Sequence, residues 1–481
     1  MTVSDELHDR RRGRGGALAV VALVTGTVLA LHVVDPMLVP LAAGIAALAV
    51  VAVRWPLIGV VCLTAMLVSN LSSNLITGFG LPSVAKLALP GLVGLLGLRY
   101  LLRREVPYIP WTFAALSAGF LAVKLLGAAN ALHWQVALEV TDGFARDVAV
   151  VLVALAFLRH RGAFEAVTTT ILVVLAVLCA LGAAQYVGGE MLREFGGFSQ
   201  IHDGNGRFSG PIGDPNFFCA VLAFGTPLAI FRACDARGAG VLVWGAVLAL
   251  ILFGAAATQS RGGMLALLVG VAVLLPSMSR RQVGATALIG ALAVALAAAT
   301  LGEAQLDRLR GIADLAMDDG TIDRATEGRL ASWQVAIELF RAHPVFGVGP
   351  GNFNLYYQDI ALELGLIFRG EGRSAHSLYL EQLAEMGVVG LGWFLLLLLV
   401  AALSVIRATR IARRSGDPRR ARHYAAFGAG LTAYLAAMVF LHDSYPRFLL
   451  LMIGLAVELA RHAAREAGGT GADRAGQAPP V

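Results

Sequence analysis

Lysine is almost missing from this chain of 481 residues, occurring only at Lys86 and Lys124. Charge is scarce as a whole: 15% of residues are charged, against about 25% in a soluble domain. So little polar side chain excludes an ordinary water-soluble fold. The net charge of +6 is carried almost entirely by arginine, in short segments between apolar runs. Basic residues set membrane topology there, so the charge is no nucleic-acid footprint. Cysteine is rare too. Cys62, Cys179, Cys219 and Cys234 are scattered in or beside apolar runs with no CxxC or metal-ligand spacing, and they read as small buried hydrophobes. No internal repeat and no low-complexity tract is found. The acidic stretch Asp314, Asp318, Asp319, Asp323 and Glu327 offers no EF-hand register and reads as a solvated face.

What fills the chain is hydrophobic residue, 57% of it, packed in runs of roughly 15 to 25 residues, the length that crosses a bilayer as a helix. Helices are the spanning form because lipid offers the backbone no other hydrogen-bond partner. Spans are expected at 17–34, 37–53, 55–69, 83–102, 109–127, 144–158, 165–187, 215–231, 240–258, 262–276, 283–301, 379–406, 424–442 and 446–461. The fold class is therefore an all-α polytopic integral membrane protein of about 12–14 transmembrane helices. Arg10, Arg11, Arg12 and Arg14 precede a first run with no cleavage site, which reads as a retained span. Both termini fall inside, with most of the arginines of short loops, which fits the positive-inside rule.

The division is then a basic N-terminus 1–16, spans over 17–301 with an outer loop 188–214, a large outer loop 302–378, spans over 379–461, and a disordered tail 462–481. Within the large loop, RLASWQVAIELFRA (329–342) reads as an amphipathic helix, with Leu330, Trp333, Ile337 and Phe340 as its apolar stripe. Thr326 is its expected N-cap and Pro344 follows its end. Such a helix can lie on the outer membrane surface. The following GVGPGNF (347–353) lacks the preceding strand of a dinucleotide loop and reads as a flexible turn.

Several arginines sit on the outer side, against the topological rule: Arg207, Arg261, Arg329, Arg369 and Arg373. His376, His442 and Asp443 share that side. Guanidinium groups grip phosphate in a forked geometry and stay charged at any biological pH, which suits a diphosphate on a lipid carrier. The competing reading of each arginine is an interface anchor reaching to lipid headgroups. His376 is a candidate general base, kept neutral by its arginine neighbours. The competing reading is a helix-end histidine bonded to backbone.

Four segments, FSGPIGDPNFFCAVL (208–222), TQSRGGMLALL (258–268), GRLASWQVAIELFRAHPVFGVGPGNF (328–353) and AHSLYLEQLAEMGVVGLGWF (375–394), occur in an order and spacing that resemble the O-antigen ligase and O-antigen polymerase-like superfamily of bacterial envelope glycosyltransferases. The resemblance covers roughly the C-terminal 60% of the chain. It implies a multi-pass protein of the bacterial inner membrane with a periplasmic active site, acting on a glycan carried by undecaprenyl diphosphate. The acceptor it implies is lipid A-core or another glycan, and no nucleic acid is implied. By this resemblance Arg207 and Arg261 engage the diphosphate, Arg329 contacts phosphate or glycan, and His376 is the base. Arg373 joins them as a substrate-binding candidate from its place beside His376. Many members read His-Asn where this chain has His376-Ser377, so whatever the Asn does is done by Ser377 or not at all. The expected chemistry is inverting transfer without a cofactor, with arginines in the electrostatic role a metal plays elsewhere. A polysaccharide polymerase shares donor and site with a ligase and differs in its acceptor. A lipid-linked glycan flippase is the rival from another class, but it would place charges at mid-bilayer on broken helices.

Overall fold

The computed structural model describes residues 55–81, 84–106, 108–188, 195–202, 206–300, 324–367, 372–442 and 446–475. The expected spans 17–34 and 37–53, the residues Asp314 to Asp323, Arg369 and Asp443 lie outside these.

Helices account for nearly everything described. They are α1 (Pro56–Val68), α2 (Leu71–Phe79), α3 (Val84–Arg103), α4 (Trp111–Ala129), α5 (Trp134–Ala156), α6 (Ala163–Gly188), α7 (Pro215–Asp235), α8 (Ala239–Ala257), α9 (Arg261–Leu274), α10 (Arg280–Thr300), α11 (Arg324–Ala342), α12 (Phe353–Glu363), α13 (Leu378–Arg414), α14 (Pro418–Ala437) and α15 (Pro446–Ala475). Each expected span from 55 onward coincides with a helix, so the chain is an all-α polytopic membrane protein. Five of these helices are individually long and apolar enough to cross a membrane: α4, α6, α7, α8 and α13. The bent pair of α1 and α2, angled at 57°, makes a sixth if counted as one span. The remaining described helices are shorter or do not meet that test alone. α15 runs on to Ala475, past residue 462, where a disordered tail was expected. Its ARHAAREA stretch is rich in alanine, arginine and glutamate, which hold a helix without an apolar face.

α7 is the buried centre of the bundle, with every residue from Phe217 to Phe231 enclosed. Phe224 packs edge-on against Phe427 of α14 and Phe448 of α15 at 5.6 Å each, locking three helices in one aromatic cluster.

Two short strands, β1 (Gln200–His202) and β2 (Arg207–Gly210), pair antiparallel in the loop before α7. Tyr186 of α6 donates to the Gly206 carbonyl at 2.6 Å, and Asn70 donates to the Pro211 carbonyl at 3.1 Å. The loop that delivers Arg207 is therefore pinned from both sides.

A second, smaller core forms outside the bundle from Val335, Leu339, Val348, Phe353, Tyr357 and Ala384. It corrects the expected face of the loop helix. The packed face of α11 is Ala331, Ser332, Val335, Ala336 and Leu339, whereas Leu330 and Ile337 are 40% and 39% exposed. The stripe read from sequence is real, but it points away from this core. The helix also begins at Arg324, so Thr326 is inside it rather than capping it.

The GVGPGNF segment is no flexible turn. α13 breaks at Gly387, where φ is 61°. A break leaves backbone groups without helical partners, and residues 344–349 supply them. Val348 N donates to the Ala384 carbonyl (3.0 Å) and Gly349 N to the Glu385 carbonyl (2.8 Å). In return Val388 N donates to Pro344 (2.9 Å) and Val389 N to Val345 (3.3 Å). A Cβ on Gly347 would overlap the Glu385 carbonyl group, and one on Gly387 would overlap that of Val345. Close approach is what these glycines provide. The Glu385 carboxylate closes the clasp, accepting from Gly351 N (2.7 Å) and Phe353 N (3.2 Å) at the start of α12.

Candidate active site

Three helix starts converge here, and each is fixed by its own cap. α7 begins at Asp214-Pro215, with the Asp214 carboxylate accepting from Asn216 N (2.7 Å) and Phe217 N (3.3 Å). α9 begins at Arg261, capped by Ser260, whose Oγ accepts from Gly263 N at 3.3 Å. α13 is capped by Ser377, whose Oγ accepts from Leu380 N at 3.5 Å. Serine and asparagine are comparable N-caps, so the departure from His-Asn leaves the helix start intact.

Arg207 reaches from β2 to the turn between α8 and α9. Its Nε donates to the Thr258 carbonyl and its terminal nitrogen to Asn216 Oδ1, both at 2.9 Å. Ser260 Oγ donates to the same Asn216 oxygen at 2.9 Å. Arg207 therefore braces the turn that presents Arg261, rather than reaching loosely to headgroups. That turn contains Gln259 in a left-handed conformation, φ 52°. Its buried amide oxygen and nitrogen have no hydrogen-bond partner among the described residues.

His376 is itself left-handed, φ 50°, immediately before the Ser377 cap. Non-glycine residues hold such a conformation only where their surroundings impose it. Two contacts do so: Trp333 Nε1 donates to the His376 carbonyl at 3.4 Å, and Leu378 N donates to the Met438 carbonyl at 3.0 Å. Trp333 in turn stacks on Phe440, 6.4 Å between centroids. The imidazole meets the His442 ring edge-on at 5.7 Å, and His442 meets Phe217 in the same way at 5.2 Å.

Burial pushes the His376 imidazole down to about 4, helped by His442, Arg373 and Arg329 and opposed by Asp214. His442 is also lowered by burial, and Asp214 again pulls the other way. The ring of His376 is thus neutral near pH 7 and holds a lone pair for a proton. The expected residues fall into two adjoining groups. Arg329 and Arg373 act directly on His376, and Arg207 and Arg261 sit at the α8–α9 turn. Asp214 and Phe217 of α7 join the groups through the two histidines.

Residues 246–395 match the family model described as O-antigen ligase. The chain is O-antigen ligase-like over this stretch. Arg261, Arg329, Arg373 and His376 fall inside it, while Arg207, Asp214, Asn216 and His442 converge on the same site from outside. The O-antigen ligase-like stretch includes three of the four segments that carried the resemblance; FSGPIGDPNFFCAVL precedes it. No curated protein matches the chain. The helices make this an integral membrane protein, and the matched stretch is similar to the O-antigen ligase family, which implies in general a lipid-linked glycan and a glycan acceptor as partners.

Asp214, Asn216, Ser260, Trp333 and His442 had no assigned role from sequence. Asp214-Pro215 and Ser260 were findable as helix-start signatures. Trp333 and His442 were not, since only tertiary packing brings them to His376. A cavity of about 170 Å³ elsewhere in the bundle, lined by Arg419, Arg420, His423 and Glu466, is not this site. Charges lining it pair with one another, as in Arg420 with Glu466 (2.9 Å) and Arg419 with Glu165 (3.2 Å).

Proposed function

We propose that this protein is a membrane glycosyltransferase that moves a glycan from undecaprenyl diphosphate to an acceptor hydroxyl at the periplasmic face of the bacterial inner membrane. The observation that carries this reading is the state of His376: neutral, partly buried, held at a strained φ and flanked by arginines. Two of the groups that keep the ring unprotonated, Arg329 and Arg373, are also candidates to contact the phosphate or glycan.

In the proposed reaction the acceptor hydroxyl oxygen attacks the anomeric carbon from the face opposite the diphosphate. His376 takes the hydroxyl proton as the new C–O bond forms. The bond from the anomeric carbon to the diphosphate oxygen breaks, and its electron pair leaves with undecaprenyl diphosphate. A single displacement inverts the anomeric centre. Arg207 and Arg261 stabilise the growing charge on the leaving diphosphate, with Arg329 and Arg373 on its flank or on the glycan. With guanidinium groups in that role, transfer is expected to persist in excess chelator.

His376→Ala should lower transfer by about 10²–10⁴, the usual contribution of a general base, while donor affinity stays within twofold. Near-normal turnover in purified, folded variant protein would remove His376 from the mechanism.

A further inference from the structure

Lys124 is a charge inside a span with no countercharge among the described residues. It lies in α4, 5% exposed, and among the described residues it makes no hydrogen bond or ion pair. Its Nζ sits over two rings instead, 5.3 Å from the Phe120 centroid and 5.4 Å from that of Phe144. Ring faces return only part of the hydration that burial removes. Ionisable residues held this way within a membrane mark functional positions.

A second polar group shares the place. Gln382, 4% exposed, lies one turn into α13, and its Oε1 has no partner among the described residues. Lys124 and Gln382 line one cavity, closed by Leu378 of α13 and Pro446 of α15. It therefore begins directly behind the turn that bears His376 and Ser377. Its volume of about 30 Å³ admits about two oxygen atoms and excludes a sugar ring. An ammonium asks for an anionic oxygen, and an unpaired amide oxygen asks for a hydroxyl.

We propose that Lys124 and Gln382 form a second headgroup subsite, which takes a phosphoryl oxygen and an adjoining hydroxyl of the acceptor, a phosphorylated glycolipid. This rests on the glycosyl-transfer reading. The cavity is built by α4, α5, α13 and α15, none of which carries Arg207, Arg261 or Asn216. Displacement with inversion requires acceptor and leaving diphosphate on opposite sides of the sugar, and Lys124 and Gln382 stand on elements other than those of Arg207 and Arg261.

Two anionic lipids fit this chemistry, a lipid A-type phosphoglycolipid and a second carrier-linked sugar diphosphate. The full-length protein in zwitterionic nanodiscs is titrated with monophosphoryl lipid A and with undecaprenyl diphosphate monosaccharide, and bound lipid is counted by native mass spectrometry. If lipid A is the acceptor, wild type binds it and Lys124→Met weakens it at least tenfold. If the acceptor is carrier-linked, wild type binds two copies of the diphosphate sugar and Lys124→Met binds one. Lys124→Arg keeps the charge and retains the site in either case. Methionine suits the phenylalanine cage, and thermal unfolding checks that the variant is folded; should it not be, Gln382→Leu supplies the same test. Unchanged binding of both probes in the folded variant, with a raised melting temperature, makes Lys124 a structural charge and overturns the subsite. Arg261→Lys separates the two levels. If it too leaves every probe unaffected, the donor reading fails; if it alone weakens the diphosphate sugar, only the subsite fails.

Discussion

A histidine held near pKa 4, first by burial and then by His442, Arg373 and Arg329, is a poor base until something offsets the positive charge beside it. The diphosphate of the proposed donor does that. Its negative charge should raise the imidazole toward its ordinary value of about 6.5, so the base strengthens when substrate arrives. The acid limb of kcat/KM, which reports free enzyme, is expected near pH 4, and that of kcat at clearly higher pH. Coincident limbs, measured from pH 3.5 to 8, would refute the coupling. Stability follows the same sign: with the folded value below the unfolded one, the His376 contribution is complete above about pH 6.5 and is lost as pH falls toward 4. Arg261→Lys keeps a positive charge at the α9 start but removes the fork, and should raise donor KM about tenfold while leaving the fold intact. An unchanged KM would argue against bidentate recognition. His376 and the arginines were legible in sequence because their charge stands where topology does not want it. Asp214 and His442 were less so, since their influence arises only where the ends of separate helices meet.

At the level of the element, the bent α13 is the instructive case. A long apolar run such as that after Leu378 announces a helix, and the helix is there. Its break at Gly387 is not announced, because isolated glycines are tolerated in helices and the decision lies in the clasp at 344–349. The face of α11 was misread for a related reason. Both of its faces are apolar enough to pack, and Ala331, Ala336 and Leu339 win by meeting α12 and α13. Gly387→Ala places a side chain at φ 61° against the Val345 carbonyl. It is expected to cost at least about 2 kcal/mol and to reduce transfer by moving His376. Thermal unfolding in detergent together with a transfer assay checks both, and an unperturbed melting temperature would show that the clasp can yield.

On the scale of the whole molecule, donor and acceptor readings separate by what accumulates without the protein. If it is the ligase, deletion leaves full-length glycan on undecaprenyl diphosphate; single repeat units would point to a polymerase or, if they stay on the cytoplasmic face, to the flippase. Extracting carrier-linked glycan from a deletion strain and sizing it decides between them. The clasp also bears on how turnover is limited. Residues 344–349 fasten α13 through four backbone hydrogen bonds between Ala384 and Val389, which anchors the helix whose start follows the His376 turn. In the proposed reaction each round would then wait for two lipids to drift through the bilayer to an anchored site, and bilayer viscosity, more than any movement of the protein, would be the natural throttle on its rate.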